Sequence, residues 1–162
     1  MSSWRDQNDM QEFIFATLTQ TEPGAIYEDM IIDRWLVITH ETGKTLRVFD
    51  MDNISRDLKA GTKYEFVLCP LIYKGVITPY LPEMVSTSEQ GLLATILDRD
   101  YSLEEGDFEF TVDGLSESKW ALVQSELGGL VISQHDLDKH GVIGQAIILD
   151  WQRSRLDLLA VR

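Results

Sequence analysis

A short pattern that begins with tryptophan occurs twice in this chain, and it constrains the fold more than any other feature. Residues 33–49 read DRWLVITHETGKTLRVF, and residues 117–132 read ESKWALVQSELGGLVI. In both copies a Glu follows the Trp by six residues and a Gly follows it by eight. Two apolar runs around a Gly-containing turn are typical of a β-hairpin. A chain that contains such a hairpin twice is predicted to contain a duplicated β-structure.

The sequence on either side of the two hairpins also matches. The segment 15–24 resembles 93–106, since each has an apolar-Ala-Thr-apolar run, a polar loop and a Gly. After each hairpin come a polar connector, another β-rich run and a final turn. Each copy therefore reads as three strands, a connector and two strands, with residues 52–61 predicted as a short helix because they have a capping Asp or Asn and a closing Gly. A second short helix is predicted near residue 9, running into the first strand.

Three strands, a connector and two strands is the order of the OB-fold, a five-stranded Greek-key barrel. We therefore predict an all-β protein with a minor helix, built from two tandem small β-barrels. SH3-like barrels and one larger β-sandwich remain open, because short strands at regular spacing do not separate them. The predicted boundaries are 1–82 for the first barrel with an N-terminal extension, 83–91 for the connector and 92–162 for the second barrel.

Charge restricts the class of partner. The formal net charge is −13, and both halves share it, with −5 over residues 1–85 and −8 over the remainder. Nucleic-acid binding is unfavourable for such a chain, because affinity for polyphosphate comes from Lys and Arg replacing counterions. The sequence has no apolar run of membrane-spanning length and no secretory pattern, and its lone Cys69 excludes an internal disulfide. We expect a cytoplasmic protein without a membrane partner.

Nucleic acid nevertheless supplies an alternative function, because OB-folds commonly bind ligands on strands 2 and 3. In the first copy that face could present Arg34, Trp35, Lys44, Arg47 and Phe49. Cations and aromatic planes of this kind bind single-stranded nucleic acid. The two tryptophans, however, start apolar runs at matching positions, which favours a place in the core.

One segment favours a protein partner. Residues 67–84 are apolar and aromatic and contain no acidic residue before Glu83. They contain four residues of types that are common at protein interfaces, namely Tyr73, Tyr80, Leu81 and Met84. We expect them to contact another protein, including a basic one, or a second copy of the chain. Packing between the two barrels is the alternative for the same segment.

The sequence offers little catalytic or metal-binding chemistry. His135, Asp138 and His140 lie close together in the sequence, but the two histidines are five residues apart and match no metal-binding spacing. We therefore expect a surface loop there, with no metal and no cofactor. Cys69 lies within an apolar run, which is typical of an inert thiol. The sequence predicts a non-catalytic, acidic binding or adaptor protein, with an enzyme of unknown reaction as a further alternative.

Overall fold

In a computed structural model of the protein, the described residues are 11–70, 77–79, 91–101, 110–112, 115–117, 120–133, 143–144, 146–150 and 155–162. These residues form strands, turns and bends, and no helix occurs among them. The strands are β1 Ile14–Pro23, β2 Ile26–Tyr27, β3 Met30–Ile31, β4 Arg34–Thr39, β5 Thr45–Asp50, β6 Lys63–Pro70, β7 Ile77–Pro79, β8 Gly91–Tyr101, β9 Phe110–Val112, β10 Leu115–Glu117, β11 Trp120–Ser125, β12 Gly128–Ser133, β13 Ala146–Asp150 and β14 Leu156–Val161.

The two tryptophan-led segments form hairpins, as the sequence predicts. In the first, β4 pairs antiparallel with β5 and Trp35 lies opposite Phe49. In the second, β11 pairs antiparallel with β12 and Trp120 lies opposite Ser133. The two tryptophans differ in burial, because Trp120 is only 3% exposed whereas Trp35 is half-buried on the outer face of its strand.

Five strands close into a small barrel. β1 pairs with β4, β4 with β5, β5 with β14, β14 with β6, and β6 with β1 again. The β5–β14 pair is parallel and the other four are antiparallel. A register shift between Leu18 and Gln20 lets the long β1 pair with β6 in its first half and with β4 in its second. This closure confirms the predicted all-β fold with the strand order of the OB-fold.

The fifth strand of this barrel comes from the far end of the sequence. β14 pairs with β6 over five residue pairs, with Leu156 opposite Pro70 and Val161 opposite Phe66. β7, the next described strand after β6, pairs instead with β13 of the second set. That second set has the order β12, β11, β8, β13, β7, the same order as β5, β4, β1, β6, β14. The last strands are thus exchanged between the two sets, across the predicted boundary at 83–91, which itself stays a prediction.

One continuous core joins the two sets. Its largest cluster includes Leu36, Ile38 and Leu68 from the first barrel together with Leu92 and Leu130 from the second set. A smaller cluster surrounds Trp120 and includes Val67 and Leu122. Burial of these side chains supplies the main stabilising free energy, at about 25 cal/mol for each Å² of apolar surface removed from water.

A pair of glycines lets the backbone of the N-terminal segment cross β12 closely. Gly129 N donates a hydrogen bond to the carbonyl of Phe13 at 3.0 Å. A Cβ on Gly129 would lie 1.7 Å from the carbonyl oxygen of Gln11, and Gly128 has a φ of +137°. These glycines are needed for backbone approach, where a side chain has no space.

The predicted helix over residues 52–61 is wrong, because this segment forms a series of turns. The buried Asp50 carboxylate accepts hydrogen bonds from the backbone N–H groups of Ile54 at 3.0 Å and Ser55 at 2.7 Å, and from the Ser55 hydroxyl. Asn53 adopts a left-handed backbone with φ +55°. A side chain that takes up the local N–H groups competes with the helix, and a left-handed residue interrupts it.

The other predicted helix, near residue 9, falls largely on residues outside the described part, and the described residues 14–23 are strand. Within the described part of the chain, no helix is long and apolar enough to span a membrane.

Candidate functional site

The outer face of the β4–β5 hairpin brings together three of the residues predicted to form a ligand face. The rings of Trp35 and Phe49 are 4.8 Å apart between centroids and inclined by 54°. The guanidinium carbon of Arg47 lies 3.9 Å from the centroid of the Trp35 ring. Arginine in this position is attracted to the negative face of the indole.

A fourth residue, Arg155, completes this group from the start of the exchanged strand. Its guanidinium carbon lies 4.6 Å from the centroid of Phe49. We refer to Arg47, Trp35, Phe49 and Arg155 as the cation–aromatic row. Sequence reasoning missed Arg155, because it reaches Phe49 only through the parallel pairing of β14 with β5.

Each cation of the row has an acidic neighbour. Arg47 Nη2 lies 4.0 Å from Glu22 Oε2, and Arg155 Nε lies 3.2 Å from Asp157 Oδ1. The first pair is exposed and contributes little to stability, whereas the side chain of Asp157 is mostly buried. Because carboxylates already compensate both guanidinium groups, the row is poorly suited to bind phosphate.

The remaining two predicted residues lie at the ends of the hairpin. Arg34, at the start of β4, donates from Nε to the side-chain oxygen of Asn53. Lys44 lies in the β4–β5 turn, where its carbonyl accepts the amide of His40 at 2.9 Å. The five residues therefore do not form one continuous basic groove, and the nucleic-acid alternative stays a prediction that these contacts do not favour.

Burial raises the pKa of the Asp157 carboxyl above its ordinary value of 3.8, although the nearby Arg155 guanidinium acts in the opposite direction. Arg155 Nε and Asp157 Oδ1 are both buried and lie 3.2 Å apart, which is close enough for the attraction that opposes this rise. The pair is thus close enough to attract but does not offset the full cost of burying the carboxylate.

This raised pKa predicts a pH dependence of stability. The folded state holds the Asp157 proton more tightly than the unfolded chain, so this residue makes stability fall as pH rises upward from 3.8. We expect Asp157→Asn to flatten that fall, which urea unfolding at about pH 4, 5 and 7 would measure. Asp57→Asn, at a side chain 92% exposed, is the control and should leave the slope unchanged. An equal slope in Asp157→Asn and the wild type would contradict the assignment.

A second feature is a small hairpin that projects from the barrel. β2 and β3 form their own two-stranded sheet, in which Ile26 pairs with Ile31 and Tyr27 with Met30. Glu28 and Asp29 occupy the turn with φ angles of 49° and 64°. Two consecutive left-handed residues are those of a type I′ turn, whose twist matches that of the paired strands.

Large apolar side chains are exposed on this hairpin. Tyr27 and Met30 are each 67% exposed, and Ile26 is 60% exposed. Asn53 Nδ2 donates to the carbonyl of Ile31 at 3.4 Å, which places the loop after β5 beside the hairpin. That loop adds two more exposed apolar side chains. We refer to the whole set as the hairpin patch, which consists of Ile26, Tyr27, Met30, Ile32, Met51 and Ile54.

Sequence reasoning missed the hairpin patch, since it placed a polar loop near residue 24. The available signal was two short apolar pairs around residues 28 and 29. A two-residue hairpin turn is usually identified by Asn-Gly or Asp-Gly, and here the turn is Glu-Asp. The turn residues therefore did not indicate the hairpin.

A buried carboxylate lies where the N-terminal segment, β8 and the end of β14 meet. Glu12, only 7% exposed, accepts hydrogen bonds from the Tyr101 hydroxyl and from Nη2 of Arg162. Arg162 Nη1 also lies 4.0 Å from Glu65 on β6. The contacts connect segments that are distant in the sequence, so we assign Glu12 a structural role.

Several predicted residues lie outside the part that the structure describes. They are the predicted partner-binding residues Tyr73, Tyr80, Leu81 and Met84, and the loop residues His135, Asp138 and His140. Among the described residues, no group of three or more His, Cys, Asp or Glu side chains is arranged to hold a metal ion. The protein-contact prediction for residues 67–84 thus stays a prediction.

Comparison with known proteins gives little further information. No protein-family model and no curated protein matches the chain. Among solved structures, the chain is similar to the cytoplasmic molybdate-binding protein ModG, in a crystal form with molybdate bound, at 12% identity and a TM-score of 0.43. The alignment covers 93% of this chain and 94% of ModG. We draw no functional conclusion from a likeness at this level.

Proposed function

We propose that this chain is a non-catalytic, intracellular binding protein, and that the hairpin patch is its contact surface for another protein. The observation that carries the proposal is the exposure of Ile26, Tyr27 and Met30 on a hairpin outside the barrel. Isolated exposed apolar side chains are common, but several grouped on one projecting element mark an interaction site. Tyr and Met are also suited to the task, since Tyr combines apolar area with a hydroxyl and Met adapts to irregular surfaces.

The barrel gives this hairpin a rigid base. Gly24 N donates to the Asp33 carbonyl at 2.9 Å, and Asp33 Oδ1 accepts the amide of Ala25 at 2.6 Å. These bonds fix both ends of the hairpin where β1 and β4 pair. A contact surface held in this way loses less conformational entropy on binding than a mobile loop. We propose an internal repeat as the origin of the scaffold, since both sets share one strand order.

The test compares the proteins captured from native cell lysate by the wild type and by Tyr27→Ser/Met30→Ser. We expect the double variant to lose a partner that the wild type retains, because it removes apolar contact area. Folding stability should change by no more than about 0.5 kcal/mol, since both side chains are mostly exposed. Ile143→Ser, at a residue 64% exposed and outside the hairpin patch, is the matched control and should retain the partner.

A second variant addresses the other predicted surface. If Tyr80→Asp/Leu81→Asp loses the partner and Tyr27→Ser/Met30→Ser retains it, the contact lies in residues 67–84 and the proposal for the hairpin patch is wrong. Identical capture by the wild type and both double variants would contradict a protein-binding role for either surface.

A further inference from the structure

The residues around the hairpin patch are predominantly acidic. Segments 24–34 and 51–58, which contain the patch, have five acidic side chains and two basic side chains, a net charge of −3. Of the two basic side chains, Arg56 has its Nε 3.8 Å from Asp57, and Arg34 donates from Nε to the side chain of Asn53. Asp33 is engaged with the amide of Ala25. Within these two segments, neither cation forms an ion pair with Glu28, Asp29 or Asp52.

Two of these carboxylates lie at the tip of the hairpin. Glu28 and Asp29 occupy the two central turn positions and are exposed. Tyr27 and Met30 flank them directly and form the last pair of the small sheet. Any partner that covers Tyr27 and Met30 must therefore come close to both carboxylates.

From this arrangement we infer that the partner of the hairpin patch is a basic protein segment, in which apolar side chains are flanked by Lys or Arg. The inference rests on the proposed function and states its partner class. Apolar anchors would cover Tyr27 and Met30 and provide most of the affinity. Cations on either side would face Glu28, Asp29 and Asp52, which favours encounter and selects against acidic proteins.

A second copy of the chain does not fit the same surface. A twofold contact would place identical patches against each other, because such interfaces use the same surface on both subunits. Two surfaces with a net charge of −3 each would then face one another within about 8 Å, the length over which physiological salt screens charges, so their repulsion would persist. The overall charge of −13 adds to that repulsion. A basic partner turns the same charges into an attraction.

The test uses a random peptide library displayed on phage and selected on the immobilised full-length protein. Counter-selection on Tyr27→Ser/Met30→Ser removes peptides that bind elsewhere. We expect the enriched peptides to combine apolar residues with an excess of Lys and Arg. Glu28→Gln/Asp29→Asn, which keeps the hairpin and removes its tip charges, should bind a synthetic copy of the strongest peptide about five- to tenfold more weakly at low salt.

The salt dependence separates charge from other effects of the substitution. At about 0.5 M salt the difference between the wild type and Glu28→Gln/Asp29→Asn should largely disappear, because the ionic contacts are screened. Peptides that need Tyr27 and Met30 but carry no basic excess, and that bind the neutralised variant as well as the wild type, would overturn the basic partner and leave the proposed function standing.

Two other outcomes would contradict the proposed function or the proposed occupant of the hairpin patch. A library that yields no peptide distinguishing the wild type from Tyr27→Ser/Met30→Ser would overturn the proposed function itself. Concentration-dependent dimerisation of the wild type in sedimentation velocity, lost in Tyr27→Ser/Met30→Ser, would identify a second copy as the occupant and reject the basic segment.

Discussion

Replacing Leu158 by Ala is expected to lower the free energy of unfolding by about 2 to 5 kcal/mol and to expose strands that lie a hundred residues earlier in the sequence. Leu158 is 7% exposed and lies opposite Leu68 of β6, inside the core that β4 and β5 also line. Removing its side chain leaves a cavity in the first barrel, because the strand belongs to that barrel. Urea unfolding gives the loss, and hydrogen exchange of the amides in residues 34–50 locates it.

Leu93→Ala is the matched control for this prediction. Leu93 lies on β8 of the second set and is 39% exposed, so its truncation should cost much less. If the exchanged strand is correctly placed, Leu158→Ala accelerates exchange across β4 and β5 more than Leu93→Ala does. Acceleration confined to residues 91–101 and 120–133 would show that β14 belongs to the second set.

The exchange of last strands marks the limit of what the sequence could predict about the fold. The strands and the two hairpins follow from local patterns, since alternating burial and turn residues act within each segment. The partner of the last strand does not, because β7 and β14 satisfy the same local pattern in either set. A choice between them depends on the length of the preceding connector and on packing between sets, neither of which leaves a local pattern in the sequence.

In the candidate site, too, neighbouring strands could be predicted from the sequence, whereas long-range pairing could not. Trp35, Arg47 and Phe49 were predicted together with Arg34 and Lys44 because OB-folds commonly bind ligands on strands 2 and 3. Arg155 was not, since its place depends on the exchanged strand. The predicted helix failed at Asn53, where a single left-handed residue and the carboxylate of Asp50 outweigh the capping pattern. Long-range pairing and one buried polar side chain account for these differences.

Asp50 also leads to the second large prediction. Its side chain is fully buried and holds the loop that carries Asn53 and two residues of the hairpin patch, Met51 and Ile54. Asp50→Ala removes the acceptor of two backbone N–H groups and of the Ser55 hydroxyl. Ser55 is 1% exposed, so water cannot easily replace the lost bonds.

We expect Asp50→Ala to cost about 3 kcal/mol of unfolding free energy, because buried donors left without a partner cost about 1 to 3 kcal/mol each. Relief from burying a charged carboxylate offsets part of that loss. Asp50→Asn keeps one acceptor oxygen, so its free energy of unfolding should lie between those of Asp50→Ala and the wild type.

A double-mutant cycle tests the bond to Ser55. Adding Ser55→Ala to Asp50→Ala should cost less free energy of unfolding than Ser55→Ala alone, since the hydroxyl has already lost its acceptor. Strictly additive losses in this double-mutant cycle, measured by urea unfolding, would contradict the assigned bond. Because the same loop places Asn53 beside the hairpin, Asp50→Ala should weaken partner binding as well, although Asp50 itself is buried.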